Sequence, residues 1–417
     1  MRGYARRVSV ATDLPVRRNT ILLSASLAAN SATLQLSAAV ASLTLVLVLD
    51  VEGLLGLGPA IVLASGALAA LPAGRAMDRV GRVPVLASGF VSGIVGCGLA
   101  ALGSATESAP IVLLGLVGVG AASGVALLAR IAAGDMYPPE RRARGIALVL
   151  FGAVFGAILG PAVFSPLLSG GDLDGDALAA LWLAAGGFMV AGLIAVLAVR
   201  PDPREFAARL RHDDAPEPEP AASLRELLGR EGVIPALLAA QASFAVMVGV
   251  MTLTGAIVVD HHHHEAHNVF PIIGAHVIGM YALVIVVGDL IDRIGRKPSL
   301  SGGLLLMAVS VISLLWIESV VATAIALFGL GLGWNLSFVA ATAELADRTE
   351  PAERGKLLGF NDLLSGATGA GLALLGGVAL SALGVAALAI GGTVLVVAPA
   401  LWILRESGAR ALAPRRS

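Results

Sequence analysis

The residues best equipped for chemistry lie between Met247 and Met280. Met247 and Met251 stand four apart before a histidine-rich loop, and His276 and Met280 stand four apart after it. On helices, residues at i and i+4 share a face one turn apart. Met251 and His276 are equally far from the loop, roughly 12 Å at the helical rise, and Met247 and Met280 lie one turn deeper, at roughly 18 Å. An antiparallel hairpin would level Met251 with His276, and Met247 with Met280. Three thioethers and an imidazole would then line one seam. Soft ligands of this kind favour Cu(I) among common biological metals. The bland alternative is that methionine in an apolar helix only fills space. A histidine ring in hydrocarbon is harder to dismiss, because its burial is costly and marks function by default. The loop itself offers His261, His262, His263, His264 and His267 beside Asp260 and Glu265. Neutral imidazole binds Cu, Zn and Ni alike, so this loop is expected to gather an ion at an outer mouth without selecting it. Its bland reading is a solvated polar turn.

Those residues need a scaffold, and composition says which. Of 417 residues, 57% are hydrophobic and 14% charged. A soluble chain carries roughly 25% charged residues. Apolar runs of the roughly 20 residues that cross a bilayer recur from end to end. The reading is an all-α membrane protein with twelve spans, at 21–48, 55–76, 83–103, 109–133, 145–168, 177–199, 232–259, 269–291, 299–318, 320–345, 355–381 and 383–404. Six precede a polar segment, 200–231, whose acidic and Pro-rich core marks a linker. The expected organisation is thus 1–199 as an N-terminal six-helix half, 200–231 as the linker, and 232–417 as a C-terminal half. The single Cys97 excludes an intrachain disulfide and reads as a small buried residue. Arg2, Arg6, Arg7, Arg17 and Arg18 precede the first span without an apolar core of their own, which reads as a tail and not as a signal peptide.

Lys and Arg fall in both tails, the linker, alternate short loops, and at Arg130. The opposite loops hold acids such as Glu52, Glu107, Asp172 and Asp260, without Lys or Arg. The positive-inside rule then puts both termini and the linker in the cytoplasm, and the histidine loop outside. The cytoplasmic (inner) membrane is the expected location.

The halves repeat. GRAMDRVGRVP at 74–84 matches GDLIDRIGRKP at 288–298, and Glu140-Arg141 is echoed by Glu353-Arg354. Two halves in one orientation imply a parallel repeat with a path between them. Gly74, Asp78, Arg79, Gly81 and Arg82 in the first copy, and Gly288, Asp292, Arg293, Gly295 and Arg296 in the second, resemble the loop signature of the major facilitator superfamily. The resemblance covers the whole chain. It implies the major facilitator fold, alternating access, and a role for these loops as conformational latches. Arg130 and Glu344 hold nearly equivalent places in the fourth and tenth spans and are gate candidates, for example by a bond from Arg130 to Asp78; the bland reading is that both snorkel. Gly152, Gly156, Gly160 and Pro161 suit close helix packing and partly resemble the antiporter motif of the same superfamily.

The joint pattern of MxxxM in the seventh span and HxxxM in the eighth resembles the CcoA-like (CalT) branch, whose members import copper for haem–copper oxidase assembly. On that resemblance Met247, Met251, His276 and Met280 would form the metal path. The alternative is a proton-coupled exporter of drugs or other small organic molecules. A metal sensor on a transporter fold would call for a long soluble output domain, which the sequence lacks. Asn30, Gln35, Gln241, Asn335, Asn361 and Asp362 are polar residues within spans, suited to line a cavity or to bond between helices, and Asp362 is a proton-coupling candidate. No Ser–His–Asp order or paired carboxylates suggest an enzyme. No cofactor and no nucleic acid are expected. The expected partners are the lipid bilayer and copper as substrate, with the chain acting as a monomer.

Overall fold

The structure is a computed structural model describing residues 15–49, 57–168, 174–209, 222–256, 269–317 and 319–412. Among the described residues every regular element is a helix. In hydrocarbon no water satisfies the backbone, and a helix closes its hydrogen bonds within itself. Runs of Ala, Leu, Val and Gly therefore become helices even where Val and Gly would weaken one in water.

The first six spans are α1 (Val16–Leu49), α2 (Leu57–Val80), α3 (Arg82–Ala105), the pair α4 (Ala109–Leu127) and α5 (Ala129–Met136), the pair α6 (Arg142–Leu150) and α7 (Gly152–Leu168), and α8 (Gly175–Leu197). Two short helices follow, α9 (Pro203–Arg209) and α10 (Leu224–Gly229). Then come α11 (Val233–Ala256), the pair α12 (Val269–Tyr281) and α13 (Val284–Ile294), α14 (Arg296–Ser313) and α15 (Val320–Asp347). The last helical stretch, Arg354–Leu412, is two helices joined at Gly384, whose φ of 76° is not helical; we name them α16 before Gly384 and α17 after it. The twelve expected spans each coincide with a helix or a helix pair. Eight described helices are long and apolar enough to cross a membrane, and α12 with α13, bent by 43°, makes a ninth.

By internal contacts the chain forms two compact units. One comprises 1–224 with 349–370, and the other 225–348 with 371–417. The boundary at 224 falls inside the expected linker, and the opening of α16 belongs to the first unit.

Within the first unit, glycines let backbones touch. A Cβ on Gly152 would lie 1.9 Å from the Ser24 carbonyl oxygen, and one on Gly156 would lie 2.1 Å from that of Ala28. The glycine series of the fifth span thus packs α7 on α1. The second unit uses the same device between α12 and α15. A Cβ on Gly331 would lie 2.3 Å from the His276 carbonyl, and one on Gly279 would lie 2.3 Å from that of Phe328.

Candidate functional site

In the first unit the latch motif turns the chain sharply. Gly81 has a φ of 106°, a region open to glycine, and it ends α2 and starts α3. Glycine has no side chain to cap α3, and Asp202, 121 residues further along the chain, does so. Its Oδ1 accepts from Arg82 N at 3.2 Å and its Oδ2 from Val83 N at 2.9 Å. The turn aims Asp78 and Arg82 inward, both buried. Arg82 Nη1 donates to Asp78 Oδ1 at 2.9 Å, Nε donates to Asp135 Oδ2 at 2.7 Å, and Nη2 donates to the Pro351 carbonyl at 2.7 Å. Asp78 also receives the first turn of α16, from Gly355 N at 2.9 Å and Lys356 N at 2.7 Å. A carboxylate at a helix N-terminus satisfies orphan N–H groups and complements the helix dipole. Gly74 allows the approach: a Cβ there would lie 2.0 Å from the Gly355 carbonyl.

Asp135 is the hub of this network. It is 1% exposed and also accepts from Arg354 Nη1. Asp135 and Arg354 were not singled out from the sequence as site residues. The available signal was that an acid shortly precedes each repeated Glu-Arg pair, Asp135 in one half and Asp347 in the other.

Arg130 does not bond Asp78, nor does it snorkel. It is fully buried, and its Nη2 donates to Asp362 Oδ1 at 2.5 Å. The helix break beside it explains its second bond. Ile131 N reaches back three residues to the Leu128 carbonyl, not four to Leu127. The Leu127 carbonyl is thereby released from the helical ladder, and Arg130 Nη1 donates to it at 3.0 Å. Asp362, the proton-coupling candidate of the sequence, carries the counter-charge of Arg130.

The second latch copy, in the second unit, has the same turn, with Gly295 at φ 97°. Arg296 donates to Asp292 Oδ1 at 2.5 Å and to Asp347 Oδ2 at 3.1 Å. Gly288 is buried, while Arg293, like Arg79, is exposed. Glu344 is held on its own helix, accepting from Arg348 Nη2 at 2.8 Å.

Of the expected metal path, Met247 and Met280 are buried, Met251 is half-buried, and His276 is fully buried. The helix that holds the His276 ring is α15: Nδ1 lies 2.9 Å from the Leu327 carbonyl. A carbonyl only accepts, so Nδ1 carries the proton, and a neutral ring then presents a bare lone pair at Nε2. That atom is buried without a partner among the described residues. One turn nearer the loop, Ile272 joins an apolar cluster with Leu314, Ala326 and Leu327, and Val250 of α11 packs against it. Hairpin counting from α11 and α12 could not reveal α15, which is remote in sequence and admitted by Gly331. Among the described residues no three His, Cys, Asp or Glu side chains converge on a metal-sized site. His261, His262, His263, His264 and His267 lie outside the described residues. Cys97 is fully buried.

Residues 19–275 and 272–416 each match the Major Facilitator Superfamily. The chain is 30% identical over 392 residues to the MFS-type transporter YdeG of Bacillus subtilis, covering 91% of this chain and 89% of that one. It is 32% identical over 298 residues to the riboflavin transporter RfnT of Brucella anthropi, covering 72% and 73%. The fold is similar to that of the human organic anion transporter MFSD10, with a TM-score of 0.72 at 14% identity over 94% of this chain and 100% of that one. The chain belongs to the major facilitator superfamily. It is a multi-pass membrane protein and a secondary transporter, not an enzyme.

Proposed function

We propose that this transporter carries a small, planar, ring-bearing organic solute, held in the second unit by α12 and α15. The observations that carry this reading are buried polar atoms without partners on α12 and α15 and an aromatic group on the same two helices. Trp334 Nε1, Asn335 Nδ2 and His276 Nε2 are each buried and unpartnered among the described residues. They amount to two donors and, on the neutral ring, one acceptor. An unpaired buried polar atom costs about 1–3 kcal/mol. Three of them on two closely packed helices are costly unless a solute uses them. Trp334 stacks on Phe338 at 4.8 Å with 13° between planes, and it meets Tyr281 edge-on at 6.2 Å. Aromatic walls with a few polar groups are the usual make-up of a small-molecule site. The solute named for the Brucella anthropi relative is of this class. The sequence has no phosphate-binding loop of the nucleotide-hydrolysing kind, so an ion gradient is the energy source we assign. On the one-sided Lys and Arg distribution we place both termini and the 200–231 segment in the cytoplasm.

A second reading is import of copper along Met247, Met251, His276 and Met280, as the CcoA-like resemblance implies. One observation favours it. A metal-binding histidine typically donates its other ring N–H to a carbonyl or carboxylate, which fixes the ring and its tautomer. His276 is held in this way by Leu327. Proteoliposomes containing the full chain separate the readings. Under an imposed proton gradient they are offered radiolabelled riboflavin and, separately, radiolabelled Cu(I). Transport of the ring solute that is lost in Trp334→Leu supports the first reading. Copper transport that is lost in His276→Ala, with no ring solute moved, overturns it in favour of the second.

A further inference from the structure

The first unit holds a cavity of about 660 Å³ that the transport reading leaves unused. Its lining comprises Arg75, Asp78, Arg79, Arg204, Leu224, Ala352 and Lys356. Four of these side chains are cationic. The one acid is already engaged, Asp78 Oδ1 accepting from Arg82 and from Gly355 N and Oδ2 from Lys356 N. Arg204 donates to the Arg79 carbonyl and Lys356 to the Ala222 carbonyl, so these two bonds neutralise no charge. Arg75 and Arg79 are exposed, and their guanidinium groups have no partner among the described residues. They stand at i and i+4 on α2, where like charges repel.

We propose that this cavity is a binding site for a phosphate ester of net negative charge, with Arg75 and Arg79 as its main ligands and Arg204 and Lys356 as its rim. Arginine suits this chemistry because its planar fork matches a phosphate in bidentate fashion. The volume lies within the range of small-molecule sites, roughly 300–1,000 Å³, so an esterified phosphate is a better fit than the bare ion. Two sources offer that chemistry. One is the headgroup of an anionic phospholipid, which meets α2 at Val80, an apolar residue 62% exposed beside Arg79. The other is a soluble phosphate ester. Asp78 and Lys356 belong both to this cavity and to the contact between α2 and α16. An anion there screens the cations gathered around that contact, so occupancy favours the latched arrangement.

The test uses the full chain in detergent and native mass spectrometry. Phosphatidylglycerol, phosphatidylcholine and glycerol 3-phosphate are each titrated onto the protein and onto the Arg75→Gln/Arg79→Gln variant. Retention of phosphatidylglycerol over phosphatidylcholine, reduced about fivefold per arginine removed, supports the proposal with a lipid source; this is the equivalent of about 1 kcal/mol per basic residue near an anionic surface. Retention of glycerol 3-phosphate, lost in the variant, supports it with a soluble source. Equal retention of phosphatidylglycerol and phosphatidylcholine with no retention of glycerol 3-phosphate, or retention unchanged in the variant, overturns it. Both arginines are exposed, so the variant is expected to fold, and its melting temperature checks this.

Discussion

The two latch loops share a sequence pattern and a backbone turn, yet they are built into different surroundings. In the first unit Arg82 is fully buried and reaches Asp78, Asp135 and a backbone carbonyl. Asp78 caps α16, a helix far along the chain. In the second unit the side chains of Arg296 and Asp292 are 11% and 10% exposed, and that of Asp347 is 25% exposed. A repeated motif therefore fixes the local turn and its i, i+4 ion pair. It does not fix how deeply the pair is buried or which distant segment it holds. The energetic difference follows from burial, because removing one partner of a fully buried ion pair strands a charge, whereas Asp347 is a quarter exposed and its loss leaves Arg296 paired with Asp292.

The largest expected effect compares Asp135→Asn with Asp347→Asn. Asp135 faces two buried guanidinium groups, Arg82 and Arg354. Losing its charge is expected to cost about 3–5 kcal/mol. Asp347 faces Arg296 near water, and its loss is expected to cost at most about 1 kcal/mol. Thermal melting of the two purified variants reads the difference. Equal losses would break the contrast between the loops.

Much of this was legible in the sequence, and the failures have one physical cause. Apolar run length located every span, because the bilayer sets it. The repeat located both loops, and glycine at positions 81 and 295 marked both turns. The partners were not legible. Asp135, Arg354 and Asp362 join the site through contacts between distant segments, and local spacing carries no information on those. Arg130 could be suspected from its place in a span, but not paired. The Met247–Met280 stretch shows the same limit. Spacing placed Met251 and His276 on a two-helix hairpin but carried no sign of α15, whose Leu327 carbonyl holds the ring. The histidine loop, with His261, His262, His263, His264 and His267, lies outside the described residues.

A second comparison sets Arg130→Gln against Glu344→Gln, the two gate candidates. Arg130 is buried against Asp362, so its loss leaves a buried carboxylate without its cation. A cost of about 3 kcal/mol is expected. Glu344 pairs with Arg348, whose side chain is 31% exposed and can turn to water, so a cost of about 1 kcal/mol or less is expected. Adding Asp362→Asn to Arg130→Gln sharpens the point. If the two residues act as a pair, the double variant recovers part of the single variant's loss in a double-mutant cycle. Simple additivity would mean that the contact carries no coupling.

The smallest expected effect concerns the loops themselves, through Asp78→Asn and Asp292→Asn. Asparagine keeps the shape of the carboxylate but turns one acceptor oxygen into a donor. At position 78 that donor must face either Arg82 or an N–H of the first turn of α16, and each of these groups is itself a donor. Loss of one charge-assisted bond is worth about 1.5–3 kcal/mol. At position 292 the partner Arg296 keeps Asp347, so no cation is stranded, and a smaller loss of about 1 kcal/mol is expected. The consequence for transport differs in kind as well as size. Asp78 holds a contact between elements and touches none of the unpartnered atoms on α12 and α15. Its loss should slow transport of every solute by a similar factor and leave half-saturation nearly unchanged. Initial rates for two unlike ring solutes in proteoliposomes measure this. A change in the ratio of the two rates would assign Asp78 to solute choice and remove the distinction between a latch in the first unit and a binding site in the second.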